Sequence, residues 1–203
     1  MVVAAILWTA IAFLSGSLPF AVWLGLLFAR ADVRQYGDGN PGTANAWRAG
    51  GWRVGVLTLV LDWLKGALPV GLAHFVGHIA GPGLVPVALA PVLGHAFTPF
   101  LGFRGGKAVA VTFGIWTGLL PGEGPVILGL LLTLFYFVQT NSSWAVMLTL
   151  LVFPGYLLWR GARSELLLIW AANTALLAWT HRKTLSQRPR LQNWVRKALR
   201  LDP

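Results

Sequence analysis

The stretch VVAAILWTAIAFLSGSLPFAVWLGLLFA (residues 2–29) decides the fold, because it runs its whole length without a charged side chain. A helix that crosses the hydrocarbon core of a bilayer needs about 20 predominantly apolar residues. No basic segment precedes this stretch, and it is long for the apolar part of a signal peptide. We therefore expect it to be retained as a first membrane span.

The composition of the rest of the chain agrees with that prediction. Of 203 residues, 56% are hydrophobic and 11% are charged, whereas soluble domains average about 25% charged residues. A soluble domain of this size has too little interior to bury so much apolar surface. The figures exclude a disordered chain, a coiled coil and an ordinary soluble enzyme, and they indicate an integral membrane protein.

We predict an all-α, polytopic membrane helix bundle that forms a single membrane-embedded domain over residues 1–203. Several of its apolar stretches are shorter than the ~20 residues of a full crossing, so six or five spans are alternatives to seven. Prolines in the second and third stretches should kink or end their helices. The seven stretches are 2–29, 54–72, 85–101, 107–120, 125–140, 144–159 and 165–180.

The basic residues indicate how the bundle is oriented. The net charge is +10, from 16 Lys and Arg against 6 Asp and Glu. With the N-terminus outside, thirteen of the 16 basic residues fall on the inside. Cytoplasmic loops of membrane proteins carry such an excess, so we expect the N-terminus outside and the C-terminus inside. Because the basic residues lie between apolar spans, nucleic acid is not an expected partner.

The last residues, 189–203, predict a basic amphipathic tail. Apolar residues follow Pro189 at helical spacing, and basic and polar residues fill the other side. Such a helix lies flat on an anionic membrane surface; packing on the protein's own loops is the alternative. The apolar side consists of Leu191, Trp194, Val195, Ala198 and Leu199, and the other side of Arg190, Asn193, Arg196, Lys197 and Arg200.

Two inside loops carry the candidate chemistry: GDGNPGTANAWR (37–48) and GHAFTPFLGFRGGK (94–107). Glycine lets a ligand approach the backbone closely, and backbone N–H groups with Arg or Lys are what a phosphate needs. The cations are Arg48 in the first loop and Arg104 with Lys107 in the second. The alternative is a pair of tight turns whose charges only set orientation, but two such loops on one face favour anion binding.

Other motifs give weaker signals. Gly37, Gly39 and Gly42 fit G-x-G-x-x-G, but no strand–turn–helix unit surrounds them. His74 and His78 have a metal-compatible spacing, but no carboxylate or Cys lies near them, so no metal site is expected. The chain has no Cys, which excludes a thiol nucleophile and a disulfide.

Four polar residues remain open from the sequence alone. Asp62 and Lys65 share a helix face within a span, where they form either a structural ion pair or a functional site. His95 lies in the second glycine loop and His181 at the inside end of the last span. Each is either a polar anchor or part of the anion site.

Four segments resemble the bacterial acyl-phosphate:glycerol-3-phosphate acyltransferase family, which consists of small seven-span inner-membrane proteins. GSLPFAVWLG (16–25) is similar to the family's opening motif, and GDGNPGTANAWRAGG (37–51) to its first cytoplasmic motif. DWLKG (62–66) and GHAFTPFLGFRGGKAVAVTFG (94–114) complete the likeness, and HRK (181–183) resembles the start of the family's last motif.

The resemblance implies transfer of a fatty acyl group from acyl phosphate to the 1-hydroxyl of glycerol 3-phosphate, giving lysophosphatidic acid without a cofactor or a metal. It implies membrane lipid and the soluble enzyme that makes acyl phosphate as partners, and a multi-pass protein of the bacterial inner membrane with a cytoplasmic active site. A non-catalytic protein or transporter for an anionic phosphorylated lipid or metabolite is the alternative.

The resemblance also implies the residues of the site. Lys107, His181 and Arg48 are expected to be catalytic. The expected substrate-binding residues are Asp38, Gly39, Asn40, Gly42, Asn45, His95, Arg104, Gly105, Gly106 and Arg182.

The chain departs from the family motifs at a few positions. Asp38 replaces a Ser, Thr43-Ala44 stands where the family has Ala-Thr, and Thr184 replaces an Asn. Two interpretations of Asp38 are open. Either its carboxylate pairs with Arg34 or Arg48 and orients that cation, or it stands at the Ser position and repels phosphate.

Overall fold

The protein is described by a computed structural model that covers residues 2–200. Apart from one isolated bridge between Gln139 and Leu191, every regular element within that range is helical, so the predicted all-α class is confirmed. The chain divides into two compact units, Met1–Gly124 and Pro125–Pro203. That residues 1–203 form a single membrane-embedded domain stays a prediction.

The first unit contains five α-helices. α1 packs against α4, and α3 packs against α5. These helices are α1 (Val2–Ser17), α2 (Phe20–Leu24), α3 (Thr43–Gly71), α4 (Leu84–Ala96) and α5 (Val109–Leu119).

Small residues let these helix pairs approach closely. A β-carbon at Gly94 in α4 would collide with the carbonyl of Phe13 in α1, and one at Gly114 in α5 would collide with the carbonyl of Trp63 in α3. Membrane helices associate through such packing, because lipid tails remove most of the hydrophobic drive between helices. The bundle of the first unit therefore depends on glycine at its contacts.

The first predicted span, 2–29, is helical but broken. α1 ends at Ser17, α2 begins at Phe20, and a π-helical turn covers Gly25–Ala29. Pro19 lies at the break, where it removes a backbone donor. The carbonyl of Leu18 accepts a hydrogen bond from Lys65 Nζ at 2.7 Å, so a side chain of α3 satisfies a backbone group that the break exposes.

α3 begins at Thr43, well before the predicted start at 54, and it contains a kink. Gly51 has φ 72° and ψ −170°, a left-handed conformation that glycine adopts at little cost. The kink separates a first segment, which carries Asn45 and Arg48, from the long apolar part that follows. The Gly50-Gly51 pair therefore lies at the end of the helical segment that carries Asn45 and Arg48, and not in the loop before α3.

The second unit contains α6 (Glu123–Val138), α7 (Ser142–Trp159), α8 (Ser164–Leu185) and the short α9 (Asn193–Ala198). α7 packs against α8, and the indole N–H of Trp170 donates to the carbonyl of Leu150 across that contact at 2.6 Å.

All seven apolar stretches predicted from the sequence are helical. Within residues 2–200, four helical segments are long and apolar enough to cross a membrane, namely Val2–Ala29, Thr43–Val76, Gly81–Leu101 and Ser142–Trp159. The number of spans and the sides of the termini stay predictions. Pro69 and Pro91 lie inside α3 and α4 and end neither helix.

The predicted amphipathic tail is helical only over Asn193–Ala198, because the chain before it is extended and contacts the end of α6. Trp194 donates its indole N–H to the carbonyl of Phe137 at 2.8 Å, and Val195 is buried. Residues 201–203 of the tail lie outside the described residues. Its placement on a membrane surface stays a prediction.

Candidate active site

The first glycine loop is folded onto the start of α3 by one carboxylate and one amide. Asp38 Oδ1 accepts hydrogen bonds from the backbone N–H of Asn40 at 3.2 Å and from Asn45 Nδ2 at 3.0 Å. Asn45 Nδ2 also donates to the carbonyl of Asn40 at 3.0 Å. Since Asn45 is buried, its amide fixes the loop rather than responding to solvent.

An ion pair joins the two glycine loops. Lys107 Nζ lies 2.8 Å from Asp38 Oδ2, although 69 residues separate the two in the chain. On the other side of the loop, Arg48 donates to Asn45 Oδ1 at 2.7 Å. The chain Lys107–Asp38–Asn45–Arg48 therefore links two of the three loop cations that the sequence singled out.

The expected partner of Asp38 is corrected by this geometry. Asp38 pairs with neither Arg34 nor Arg48. The guanidinium of Arg34 instead bonds the Asp32 carboxylate at 2.7 Å, because Asp32 caps a short turn that brings Arg34 back onto it.

Glycine at position 37 is required by the close approach of this network. Gly37 has φ 55°, and a β-carbon there would collide with the Arg48 guanidinium and the Asn45 amide. The backbone of Gly37 therefore lies directly against the Arg48 guanidinium, which donates to the side-chain oxygen of Asn45. Gly39 also has a positive φ, while Gly42 caps the N-terminus of α3.

The second glycine loop is held to the end of α4 by its backbone. The N–H groups of Gly105 and Gly106 donate to the carbonyls of Ala96 and His95, each at 3.0 Å. A β-carbon at Gly106 would collide with the His95 imidazole. These contacts place Lys107 beside the first loop and leave Arg104 exposed.

A buried ionic cluster lies beneath the two loops. Lys65 Nζ is 2.6 Å from Asp62 Oδ1, and both side chains are only 2% exposed. His95 Nδ1 lies 3.9 Å from the same oxygen. Asp62 and Lys65 belong to the apolar part of α3 and His95 to the last turn of α4, so the cluster brings the end of α4 next to α3 beneath the loops.

A small cleft connects this cluster with the loops. The first loop, the second loop, the break after α1 and the buried cluster all contribute to its wall. Among its lining residues are Pro41, Gly105, Gly106, Phe20, Lys65 and His95.

The charge state of Asp38 follows from its partners. Partial burial raises the pKa of its carboxyl, but the hydrogen bonds from Lys107, Asn40 and Asn45 and the charge of Lys107 together hold that pKa below its ordinary value. Asp38 is therefore an anion at neutral pH, and the net charge of the two loops is lower than their basic residues alone indicate.

His181 and Arg182 lie in the second unit. His181 is buried, and its Nδ1 is 2.8 Å from Ser143 Oγ, which in turn lies 2.6 Å from Thr184 Oγ1. Arg182 stacks on Trp179 with 4.3 Å between the guanidinium carbon and the ring centroid. Ser143 is missing from the candidate residues because it lies in the polar stretch NSS (141–143) between two predicted spans, where a serine gives no sequence signal of a site. The roles of His181 and Arg182 stay predictions.

Within residues 2–200, no three His, Asp or Glu side chains group together as metal ligands would. His74 Nδ1 lies 2.9 Å from the carbonyl of Ile79, so this imidazole is engaged by its own loop.

Comparison with known proteins identifies the family. The family described as glycerol-3-phosphate acyltransferase matches residues 6–188. The glycerol-3-phosphate acyltransferase of Pseudomonas fluorescens is 38% identical over 174 residues, which cover 86% of this chain and 90% of that protein.

Other relatives align over a shorter part. Glycerol-3-phosphate acyltransferase 1 of Thermotoga maritima is 44% identical over 122 residues, or 58% of this chain. A Leptospira borgpetersenii relative of the same name is 46% identical over 115 residues, or 55% of this chain. In these alignments the chain spans 59% and 51% of the length of those two relatives.

Two solved structures share the fold. Both are crystal structures of PlsY, an integral membrane glycerol 3-phosphate acyltransferase. The glycerol 3-phosphate form has a TM-score of 0.79 at 29% identity and covers 96% of this chain and 98% of that one. The lysophosphatidic acid form has a TM-score of 0.80 at 30% identity and covers 90% of each chain. The resemblance found in the motifs is confirmed: this chain belongs to the glycerol-3-phosphate acyltransferase family.

Proposed function

We propose that this protein transfers a fatty acyl group from acyl phosphate to the 1-hydroxyl of glycerol 3-phosphate and releases lysophosphatidic acid. The observation that carries the proposal is the chain Lys107–Asp38–Asn45–Arg48, which holds two cations and two glycine loops at one site. The names of the relatives, and the two ligand forms of the solved structures, support glycerol 3-phosphate as the acceptor.

The chemistry needs little covalent help from the protein. The hydroxyl oxygen attacks the acyl carbon, the bond from that carbon to the phosphate oxygen breaks, and inorganic phosphate leaves with the electron pair. The hydroxyl proton passes to the released phosphate or to water. Because the donor is already activated, positioning two phosphates and balancing their charge supplies most of the catalysis.

The residues around the loops fit these tasks. Lys107 and Arg48 hold phosphate oxygens, and Arg104 adds a cation at the exposed edge of the second loop. Gly39, Asn40 and Gly42 belong to the proposed site because a glycine-rich loop lets the ligand approach its backbone closely. Their own N–H groups donate within the loop, to Tyr36, Asp38 and Asn40 respectively. The proposal includes His95, Gly105 and Gly106 at the cleft. His181 as a catalytic residue and Arg182 as a substrate-binding residue stay predictions.

The test is an acyl-transfer assay on membranes that contain the protein. Acyl phosphate and labelled glycerol 3-phosphate should give labelled lysophosphatidate, and acyl-coenzyme A in place of acyl phosphate should give little. Saturable binding of glycerol 3-phosphate without product would contradict catalysis and indicate a binding protein or transporter. Product from acyl-coenzyme A alone would contradict the donor.

We also propose that the protein lies in the bacterial inner membrane with the two loops on the cytoplasmic face. This side is where a soluble enzyme could deliver acyl phosphate, and where basic loops accumulate. The acyl chain stays in the bilayer while its phosphate meets the loops.

Because the chain has no Cys, single cysteines can map its orientation. We expect Arg104→Cys and Arg188→Cys to react with a membrane-impermeant maleimide only in inside-out vesicles, and His78→Cys to react only in right-side-out cells. The labelling requires no activity. Reaction of Arg188→Cys from outside would overturn both the orientation and the odd number of spans.

A further inference from the structure

The carboxylate of Asp38 is bound in the way a phosphate oxygen would be bound. It accepts from an ammonium at 2.8 Å, from a backbone N–H at 3.2 Å and from a side-chain amide at 3.0 Å. Cations and backbone N–H groups are the donors that proteins use for phosphate. The side chain is also 46% exposed, so solvent and soluble ligands reach it.

Resting on the proposed function, we propose that Asp38 is an affinity-determining residue of the site, whose carboxylate engages the phosphate-binding Lys107 and must release it before the acceptor phosphate binds. The protein carries an internal competitor for its own substrate. The position is the one at which this chain has Asp in place of the Ser of the related motif.

Electrostatics favours exchange over sharing. Two anions on one ammonium repel each other at close range, and the repulsion is stronger at a partly buried site than in water. A phosphate therefore gains the full attraction of Lys107 only when the Asp38 carboxylate moves away. The apparent dissociation constant then equals the intrinsic constant divided by the fraction of molecules in which Lys107 is available.

The alternative role for Asp38, orienting Lys107, predicts the opposite change in phosphate affinity when the carboxylate is removed. If Asp38 served to orient Lys107 toward phosphate, removal of its charge would weaken binding. If Asp38 competes, the same change strengthens binding. Because Asn45 and the N–H of Asn40 both donate to Oδ1 of Asp38, they still find an acceptor in the amide oxygen of Asn. The variant Asp38→Asn therefore keeps the loop bonds and removes the charge together with the oxygen that Lys107 contacts.

The experiment measures equilibrium binding of glycerol 3-phosphate, and separately of inorganic phosphate, to the purified full chain. Asp38→Asn should bind both about two- to fivefold more tightly, the upper part of the range expected from loss of one exposed ion pair. The matched control is Asp32→Asn, which removes the same charge from the segment just before that loop, where the carboxylate pairs with Arg34. It should leave both affinities unchanged.

Each other outcome decides against the proposal. Unchanged or weaker binding by Asp38→Asn would show that Asp38 is neutral or orients Lys107. Equal tightening in Asp32→Asn would show a general charge effect. The acyl-transfer assay on the parent protein is a separate measurement. If Asp38→Asn binds phosphate more tightly but the parent shows no turnover, the role of Asp38 is supported and the proposed reaction is contradicted. If the parent turns over but Asp38→Asn binds no more tightly, the reaction is supported and the role of Asp38 is contradicted.

Discussion

Replacement of Lys107 by Ala should lower the rate of lysophosphatidate formation ten- to hundredfold while the protein still inserts into the membrane. A charge-assisted hydrogen bond to a buried anion contributes roughly 1.5–3 kcal/mol. Lys107 is proposed to make such a bond in the reacting complex, and its loss also leaves the Asp38 carboxylate without its ammonium partner. The rate assay and an immunoblot of the membranes measure activity and insertion separately.

The double variant Lys107→Ala with Asp38→Asn separates these two effects. If part of the loss comes from repulsion between Asp38 and the substrate, the double variant should recover several-fold over Lys107→Ala, and the two changes should be non-additive. Lys197→Ala in α9 is the matched control and should keep a near-parental rate. A near-parental rate in Lys107→Ala would remove the basis of the proposed site.

The helices could be predicted because the bilayer makes apolar length the dominant signal. Each of the seven predicted stretches is helical, and α5, at Val109–Leu119, lies within two residues of its predicted bounds at either end. Breaks were harder to predict. Pro69 and Pro91 lie inside helices, where neighbouring groups can satisfy the freed carbonyls, whereas the breaks occur at Pro19 and Gly51.

The first of those breaks is accompanied by a tertiary contact that no local rule describes. The break frees the carbonyl of Leu18, and Lys65, far along the chain, donates to it. The positive φ of Gly51 could not be predicted, because glycine occupies helical conformations as well.

The site was predictable in its parts but not in its pairing. The two loops stand out in the sequence because they combine several glycines with basic residues, whereas the spans around them are apolar. The Asp38–Lys107 pair could not be found, because it joins loops 69 residues apart. Local reasoning named Arg34 or Arg48, but the guanidinium of Arg34 pairs with Asp32 and that of Arg48 donates to Asn45.

Replacement of Lys65 by Met should remove most of the folded protein. The change leaves the Asp62 carboxylate, which is 2% exposed, without the ammonium that now lies 2.6 Å away. Breaking a buried ion pair by removing one partner costs about 3–5 kcal/mol. The carbonyl of Leu18 also loses its donor. Folded proteins are stable by only about 5–15 kcal/mol in total, so the variant should lie near the limit of stability.

The double variant Asp62→Asn with Lys65→Met decides what the pair does. Removing both charges avoids the uncompensated carboxylate, so the apparent melting temperature in detergent should return most of the way to the parental value. The matched control is Thr58→Val, which also lies buried in α3 but has a hydroxyl with no hydrogen-bond partner within residues 2–200. Loss of that hydroxyl should leave stability unchanged or slightly higher.

The acyl-transfer rate of the double variant then separates the two interpretations that the sequence leaves open. If the Asp62–Lys65 pair only stabilises the packing of the helices, a double variant with near-parental stability should transfer acyl groups at a rate within a few-fold of the parent. A stable double variant with a rate at least a hundredfold lower would show that the charges act at the cleft, where Lys65 and His95 line the wall below the glycine loops. Parental stability in Lys65→Met alone would contradict the pair as a buried, coupled unit. We expect the structural outcome, because both charges already have partners within the helix bundle: each lies beside the other, and Lys65 also bonds the break after α1.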